Sequence, residues 1–328
     1  MEERNKVLEV KNLKTWFHTF KGVVKAVDDV SFELYEKEIL GIVGESGGGK
    51  SITGFSIINM IDEPGIIETG EILFEGRNIV RLSEGEMNKI RGKKISMIFQ
   101  DPMTSLNPVY TIGKQLEEIL ILHESLSKKE RRNRCIELLK AVGISNAEKR
   151  LKNYPHEFSG GMRQRVVIAI ALASNPKIII ADEPTTALDV TIQAQILRLM
   201  KKLVRENNCA LILITHDLAV IAEMADRVNV MYCGKIVESG YTRDIIFHHL
   251  HPYTQGLIGS IPGTDTEKKR LTTIEGVVPN MFDLPKGCKF APRCAYRQPV
   301  CFEEEPEIRD FGDNHRAACF FPVREGAV

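Results

Sequence analysis

Apolar and polar positions along this chain follow two rhythms. Leu8–Val10 and then Val27, Val30, Phe32 and Leu34 are spaced as strands are, and Ile39–Val43 is an apolar stretch of the kind a fully buried strand carries. The segment from Gly70 to Gly76 alternates and closes on glycine, which predicts an antiparallel strand and turn. Ile95–Phe99 is a short apolar run that stops at Gln100. From about Met103 to Ala173 the period lengthens to that of a helix. Ser127 and Glu130 fit a capping box there, and Cys135, Leu138, Leu139 and Val142 follow at i, i+3, i+4 and i+7. Strand-like runs return at Ile178–Ala181 and Leu211–Ile214.

Three of these apolar runs end in polar residues: Gly44 onward, Asp182-Glu183, and Thr215-His216-Asp217. Open α/β sheets bind ligands at the carboxyl ends of their strands, so the pattern predicts an α/β core that gathers the three at one site. Beyond about residue 240 the texture changes. Pro252, Pro262, Pro279, Pro285, Pro292, Pro299 and Pro306 rule out long helices, and we expect an irregular appendage beyond a boundary near Gly240–Gly263.

At 328 residues the chain can hold one good core and a smaller appendage. Lysine plus arginine and aspartate plus glutamate both number 44, so no global field draws nucleic acid or anionic lipid. The longest uninterrupted apolar run, Val166–Ala173, is far below the roughly 18–20 residues of a bilayer-spanning helix. The opening Met-Glu-Glu-Arg-Asn-Lys lacks the apolar centre of a secretory signal. We therefore expect a cytoplasmic protein whose membrane association comes through partners.

Gly44-Glu45-Ser46-Gly47-Gly48-Gly49-Lys50-Ser51, directly after the Ile39–Val43 run, fits the phosphate-loop pattern G-x-x-x-x-G-K-[ST]. The glycines let the backbone curl so that its N–H groups face phosphate oxygens. Lys50 adds a point charge, the Ser51 hydroxyl can hold Mg²⁺, and a helix that includes Ile52 turns its positive end toward the same phosphates. The chain is thus expected to bind a nucleoside triphosphate. Asp182, after an apolar strand, is placed to hold Mg²⁺, and neighbouring Glu183 is assigned as general base on the attacking water. On an extended chain the two carboxylates face different directions. A second anion-ready helix start lies at Phe158-Ser159-Gly160-Gly161-Met162-Arg163-Gln164-Arg165, with Ser159 as its cap.

The phosphate loop and the Ser159-Gly160-Gly161 segment together resemble the ABC ATPase family, whose signature is Leu-Ser-Gly-Gly-Gln. Phe158 and Met162 stand here in place of its outer residues. The resemblance implies an ABC-type P-loop ATPase core: a mixed sheet, an antiparallel β subdomain and a helical insert at about 103–173. It also implies a head-to-tail dimer in which Ser159, Gly160, Gly161 and Met162 of one protomer complete the ATP site of the other. Gln100 resembles the family's Q-loop residue, a further Mg²⁺ contact. Ala187-Leu188-Asp189 resembles the D-loop at the dimer seam, and His216 resembles the switch histidine. For the aromatic that stacks on adenine, Phe17 is the choice, with Trp16 and Phe20 as rivals.

Tyr154-Pro155-His156-Glu157 before the signature, and His251-Pro252-Tyr253-Thr254-Gln255-Gly256-Leu257 after the core, resemble the ATP-binding subunits of dipeptide and oligopeptide importers. That resemblance implies a peripheral subunit at the cytoplasmic face of the membrane. Its partners would be two transmembrane permease subunits, a second ATPase (self or paralogue) and, indirectly, an extracytoplasmic peptide-binding protein. Nickel or another small solute stays open as cargo, as does a non-transport ATPase with a metal-binding regulatory tail. The cassette is assigned to 1–260 and the extension to 261–328. His248, His249 and His251 are read as structural.

Of seven cysteines, Cys135, Cys209 and Cys233 lie in apolar surroundings and read as buried small hydrophobes. Cys288, Cys294, Cys301 and Cys319 crowd the proline-rich tail. Disulfides are disfavoured in reducing cytosol, and the spacings are wider than zinc knuckles prefer. The tail resembles that of peptide-importer subunits carrying a [4Fe–4S] cluster, which implies these four thiolates as its ligands, with zinc as the alternative. His315 is read as a bystander.

Overall fold

The computed structural model describes residues 5–101, 105–186, 188–260 and 274–323. Met103, where the helical insert was expected to begin, Ala187 and the expected domain boundary at residue 261 lie outside them. The chain divides into two compact units. The first comprises the described parts of Met1–Val7, Tyr35–Glu38 and Arg81–Ile212; the second comprises those of Leu8–Leu34, Ile39–Val80 and Leu213–Val328.

The second unit holds two sheets. In one, β2 (Gly22–Tyr35), β1 (Lys6–Thr19), β4 (Gly65–Phe74) and β5 (Arg77–Asn78) lie in that order, with β1 and β4 antiparallel and Phe17 opposite Gly65. This is the expected antiparallel layer. Val7, Leu8, Val10 and Leu13 of β1 are buried while Lys11 and Asn12 are exposed, so one face packs inward. In the other sheet β3 (Ile39–Val43) runs parallel to β9 (Arg227–Tyr232), which pairs antiparallel with β10 (Lys235–Tyr241). All five residues of β3 are buried, as expected of a strand covered on both faces. The β9–β10 hairpin turns through Cys233 (φ 45°) and Gly234 (φ 80°), the paired left-handed geometry of a tight hairpin.

The first unit is largely helical around a parallel pair, β6 (Ile95–Ile98) and β7 (Ile178–Asp182). Its helices include α3 (Ile112–His123), α4 (Lys128–Ala141), α6 (Gly160–Leu172) and α7 (Val190–Glu206), preceded in the chain by α1 (Lys50–Ile57) and α2 (Glu84–Met87), and with α5 (Ala147–Arg150) between α4 and α6. The expected capping box forms at Ser127 and Glu130. Along α7 the buried residues Ile196, Leu197, Met200, Leu203 and Val204 recur at helical spacing and form one apolar stripe. The strand β8 (Ala210–Thr215) carries the chain from the first unit into the second. A large-to-small change such as Leu213→Ala in its wholly buried run is expected to cost about 2–5 kcal/mol.

The tail corrects one expectation. After α8 (Leu218–Met224), α9 (Thr242–Phe247) and α10 (Pro252–Gly259), it forms a short helix α11 (Val300–Glu303) and two short strands, β11 (Arg309–Asp310) and β12 (Arg316–Ala317). β12 pairs with β10 (Glu238 opposite Ala317), and β11 pairs with β12, so the tail adds strands to the sheet of the second unit rather than forming an irregular appendage. The prolines forbid long helices but leave room for two-residue strands.

Candidate functional site

The phosphate-loop segment leaves β3 at Gly44 and enters α1 at Lys50. Close packing explains two of its glycines. A Cβ on Gly44 would come within 2.1 Å of the Met231 carbonyl oxygen, and one on Gly49 (φ 95°) within 2.1 Å of the Ala26 carbonyl oxygen. The hairpin tip fastens the same loop, since the Gly234 N–H donates to the Gly48 carbonyl at 2.9 Å. A Cβ on Gly48 would meet the Glu45 carbonyl oxygen at 3.0 Å, a tight contact that a side chain there must relieve by a small shift of the loop. The helix α1 starts at Gly49 without a side-chain cap. Lys50 is buried, and its Nζ donates to the carbonyls of Gly44 (2.8 Å) and Glu45 (2.9 Å), which closes the loop on itself.

Glu45 is held from two sides. Its N–H donates to the Tyr253 hydroxyl at 2.7 Å, and its carboxylate receives both terminal nitrogens of Arg293 at 2.6 and 3.0 Å. Tyr253, Tyr232 and Phe290 pack ring against ring at 4.6–5.4 Å beside this contact. Burial pushes the Tyr232 phenol up to about 12 and Tyr253 higher still, so both stay protonated. Among the adenine candidates, Phe17 lies along Gly65, Trp16 stacks under Lys25 (4.6 Å), and Phe20 is 96% exposed at the β1–β2 turn. His216 follows β8 and is exposed, and Asp217 beside it caps α8 through Ala219 and Val220.

In the first unit the two neighbouring carboxylates sit in different backbone settings. Asp182 ends β7 and is buried. At Glu183 the chain is not extended but turns through φ 44°, a left-handed conformation that costs a residue with a Cβ roughly 1–3 kcal/mol. The Glu183 carboxylate is half-buried. Its Oε2 accepts from Gln100 Nε2 (3.0 Å) and from the Thr186 hydroxyl (2.9 Å). Ser159 caps α6, accepting from the Met162 N–H at 3.4 Å, and Ser159 and Gly160 are exposed. Phe158, at the first departure from the signature, is buried with the Arg150 guanidinium 5.5 Å above its ring, so the larger side chain serves as a core plug. Asp189 spends its carboxylate on capping α7, accepting from the Ile192 N–H at 3.0 Å.

The chain matches the ABC transporter family over residues 27–186 and the oligopeptide/dipeptide transporter C-terminal region over 237–301. It is 52% identical to the oligopeptide transport ATP-binding protein AppD of Bacillus subtilis, over 98% of both chains. It is 50% identical to the oligopeptide transport ATP-binding protein OppD of Escherichia coli, over 99% of this chain and 96% of that one. A solved structure, the dimeric post-hydrolysis state of the ATP-binding cassette MJ0796 bound to ADP and Pi, aligns with a TM-score of 0.65 at 32% identity. It covers 72% of this chain and 99% of that one. This chain is an ATP-binding subunit of the oligopeptide and dipeptide ABC transporter family. Among its described residues no helix is long and apolar enough to cross a membrane.

In this ATP-binding subunit the four tail cysteines come together. Cys288, Cys294, Cys301 and Cys319 line one apolar cavity of about 20 Å³ with Phe290, Tyr296 and Phe320. Among the described residues no group of three or more histidine, cysteine or acidic side chains has a geometry that could hold a metal ion. Burial raises the Cys288 thiol to about 11 and Cys319 to about 12, and it raises Cys294 as well. Cys135, Cys209 and Cys233 are buried as expected. The histidines are structural in detail. His251, buried and held neutral with its ring pushed down to about 4, caps α10 by accepting from the Tyr253 N–H at 3.0 Å. His315 bonds the wholly buried Glu238 at 2.7 Å, and that carboxylate also accepts from the N–H groups of Leu250 and His251.

Sequence reasoning missed Thr186, Tyr253 and Arg293. Thr186 stood three residues from Glu183 with a hydroxyl in reach. Tyr253 lay inside the His251–Leu257 stretch that served only as a family marker. Nothing local marked Arg293, since its partner is 248 positions away.

Proposed function

We propose that this chain is the ATP-hydrolysing motor of an importer for dipeptides and oligopeptides, seated peripherally on the cytoplasmic face of the cell membrane. The similarity to peptide-transport ATP-binding proteins carries the reading, because at 50% identity it continues through the tail rather than ending with the cassette. Two membrane permeases, a second ATPase subunit and an extracytoplasmic peptide-binding protein complete the machine. We assign the cassette to 1–260, with its helical insert at about 103–173, and the extension to 261–328.

The loop from Gly44 through Glu45, Ser46, Gly47, Gly48 and Gly49 to Lys50, Ser51 and Ile52 cradles the triphosphate, and Phe17 stacks on adenine. Ser51, Asp182 and Gln100 offer the hard oxygen donors that Mg²⁺ prefers, and the ion would neutralise phosphate charge when bound. Glu183 takes the proton of the attacking water, a role worth about 10²–10⁴ in rate, while Gln100 and Thr186 orient its carboxylate. His216 contacts the terminal phosphate. In the dimer, Ser159, Gly160, Gly161 and Met162 of one protomer close over the triphosphate of the other, and Asp189 lies at the seam. The exposure of Ser159 and Gly160 supports that role.

The four tail thiols are the ligands of a [4Fe–4S] cluster in this reading, with zinc as the alternative. Their common cavity supports it, and soft thiolates suit either metal. At about 20 Å³ the cavity holds little more than a water, so the thiols would have to spread and lose their protons. Anaerobically purified protein is expected to contain iron and inorganic sulfide. Protein with neither defeats the cluster, and stoichiometric zinc replaces it. For the whole reading the test is reconstitution with the cognate membrane pair and a panel of di- and oligopeptides. Peptide-stimulated ATP hydrolysis and uptake are expected. Stimulation by nickel alone would change the cargo, and association with ribosomes or DNA instead of permeases would end the transport reading.

A further inference from the structure

The Arg293 side chain is only 4% exposed, although it carries a full charge at the surface end of a tail segment. It ends a 3₁₀ turn, Ala291–Arg293, in which Pro292 fixes the backbone. Each of its five N–H groups has an acceptor nearby. Nη1 donates to Glu45 Oε2 (2.6 Å) and to the Tyr232 hydroxyl (3.3 Å). Nη2 donates to Glu45 Oε1 (3.0 Å) and the Ile274 carbonyl (3.4 Å), and Nε to the Glu275 carbonyl (3.2 Å). A guanidinium used to capacity is locked in one rotamer, and its planar fork matches a carboxylate in a way that a lysine cannot.

Glu45 presents a problem that this fork solves. A carboxylate inside a loop that collects phosphate oxygens opposes the ligand by like-charge repulsion, most of all where water is partly excluded. We propose that Arg293 is a positioning residue for ATP binding: its bidentate pair with Glu45 cancels and turns aside the one acidic side chain of the phosphate loop. The Tyr253 hydroxyl, from the helix that precedes the extension, fixes the Glu45 backbone at the same point, so this residue is held by both its ends. The tail region thus contributes to the nucleotide site of its own subunit. The inference rests on reading the loop as the ATP cradle.

The test uses the full chain with a fluorescent ATP analogue for affinity and steady-state hydrolysis for KM and kcat. Arg293→Ala is expected to weaken analogue binding and raise KM about 10- to 100-fold with kcat little changed, the size of a lost charged hydrogen-bond pair. Adding Glu45→Gln to that variant removes the repulsive charge and should restore KM to within a few-fold of wild type. Arg293→Lys keeps the charge without the fork and should fall between, which also serves if the alanine variant does not fold. An unchanged KM in Arg293→Ala overturns the inference, as does a lower Tm with wild-type KM or a defect that Glu45→Gln leaves uncorrected. Lys50→Ala separates the two levels. If it abolishes analogue binding while Arg293→Ala is silent, only this inference fails; if it binds normally, the cradle reading fails with it.

Discussion

The phosphate loop and the cysteine cavity of the same unit hold their shapes by opposite means. In the loop, Lys50 bonds two carbonyls of its own turn, Gly234 bonds Gly48, and Glu45 is fixed at backbone and side chain. Around Cys288, Cys294, Cys301 and Cys319 the walls are aromatic and aliphatic, and burial raises the Cys288, Cys294 and Cys319 thiols. A cradle that keeps its form through internal hydrogen bonds suits a ligand that arrives and leaves in every cycle. On the proposed function, the cavity serves assembly and the loop serves turnover.

Substitutions should separate the two regions, and the largest effects lie on the turnover side. Glu183→Gln is expected to cut hydrolysis by about 10²–10⁴ while leaving ATP bound in a trapped dimer, read by single-turnover kinetics and size-exclusion chromatography. Ser159→Arg should be nearly as damaging to hydrolysis yet leave single-subunit nucleotide binding intact, because the lesion falls on the surface offered to the other protomer. Lys50→Ala should weaken nucleotide binding about 10²–10³-fold by equilibrium titration. On the assembly side, Cys288→Ser should change nucleotide affinity less than about twofold and show itself only in the iron or zinc content of anaerobic protein. A tenfold change in affinity would erase the distinction between the regions.

A separate expectation concerns stability rather than activity: a pH dependence set by buried groups of the tail region. His251 stays neutral in the folded chain down to about 4, whereas an exposed histidine protonates near 6.5. Between those values the unfolded chain binds more protons, so stability falls as pH drops through that window, by a few kcal/mol at most. At the other end, in the metal-free chain Cys288 at about 11 and Cys319 at about 12 hold protons that the unfolded chain releases from about 8.5 upward, so stability of that form falls again as pH rises. Denaturant midpoints across pH check both limbs. Replacing His251 with asparagine should flatten the acid one.

Much of the nucleotide chemistry was legible because it is written in contiguous spacing. A buried strand followed by a glycine-rich turn and Lys50-Ser51 needs no distant partner to be recognised, and neither does Ile178–Asp182 ending in Glu183. The geometry at Glu183 was half legible: the sequence placed it beside Asp182, but only backbone coordinates reveal its positive φ. The tail strands were hidden because two residues carry no period, and the prolines around them spoke more loudly. Contacts such as Arg293 with Glu45 stayed invisible for a plainer reason. An ion pair closed across most of the chain leaves no mark on either neighbourhood.

The pairing of β12 on β10 reaches further than its length suggests. Ala317 and Arg316 lie along Glu238 and Ser239, and the Ala318 N–H donates to the Val237 carbonyl at 2.9 Å. These few bonds occupy what would otherwise be an open rim of unpaired amides and carbonyls, the template on which foreign strands dock. A chain cut short before Arg309 should retain its nucleotide chemistry on paper and still be lost in practice, by sticking to copies of itself.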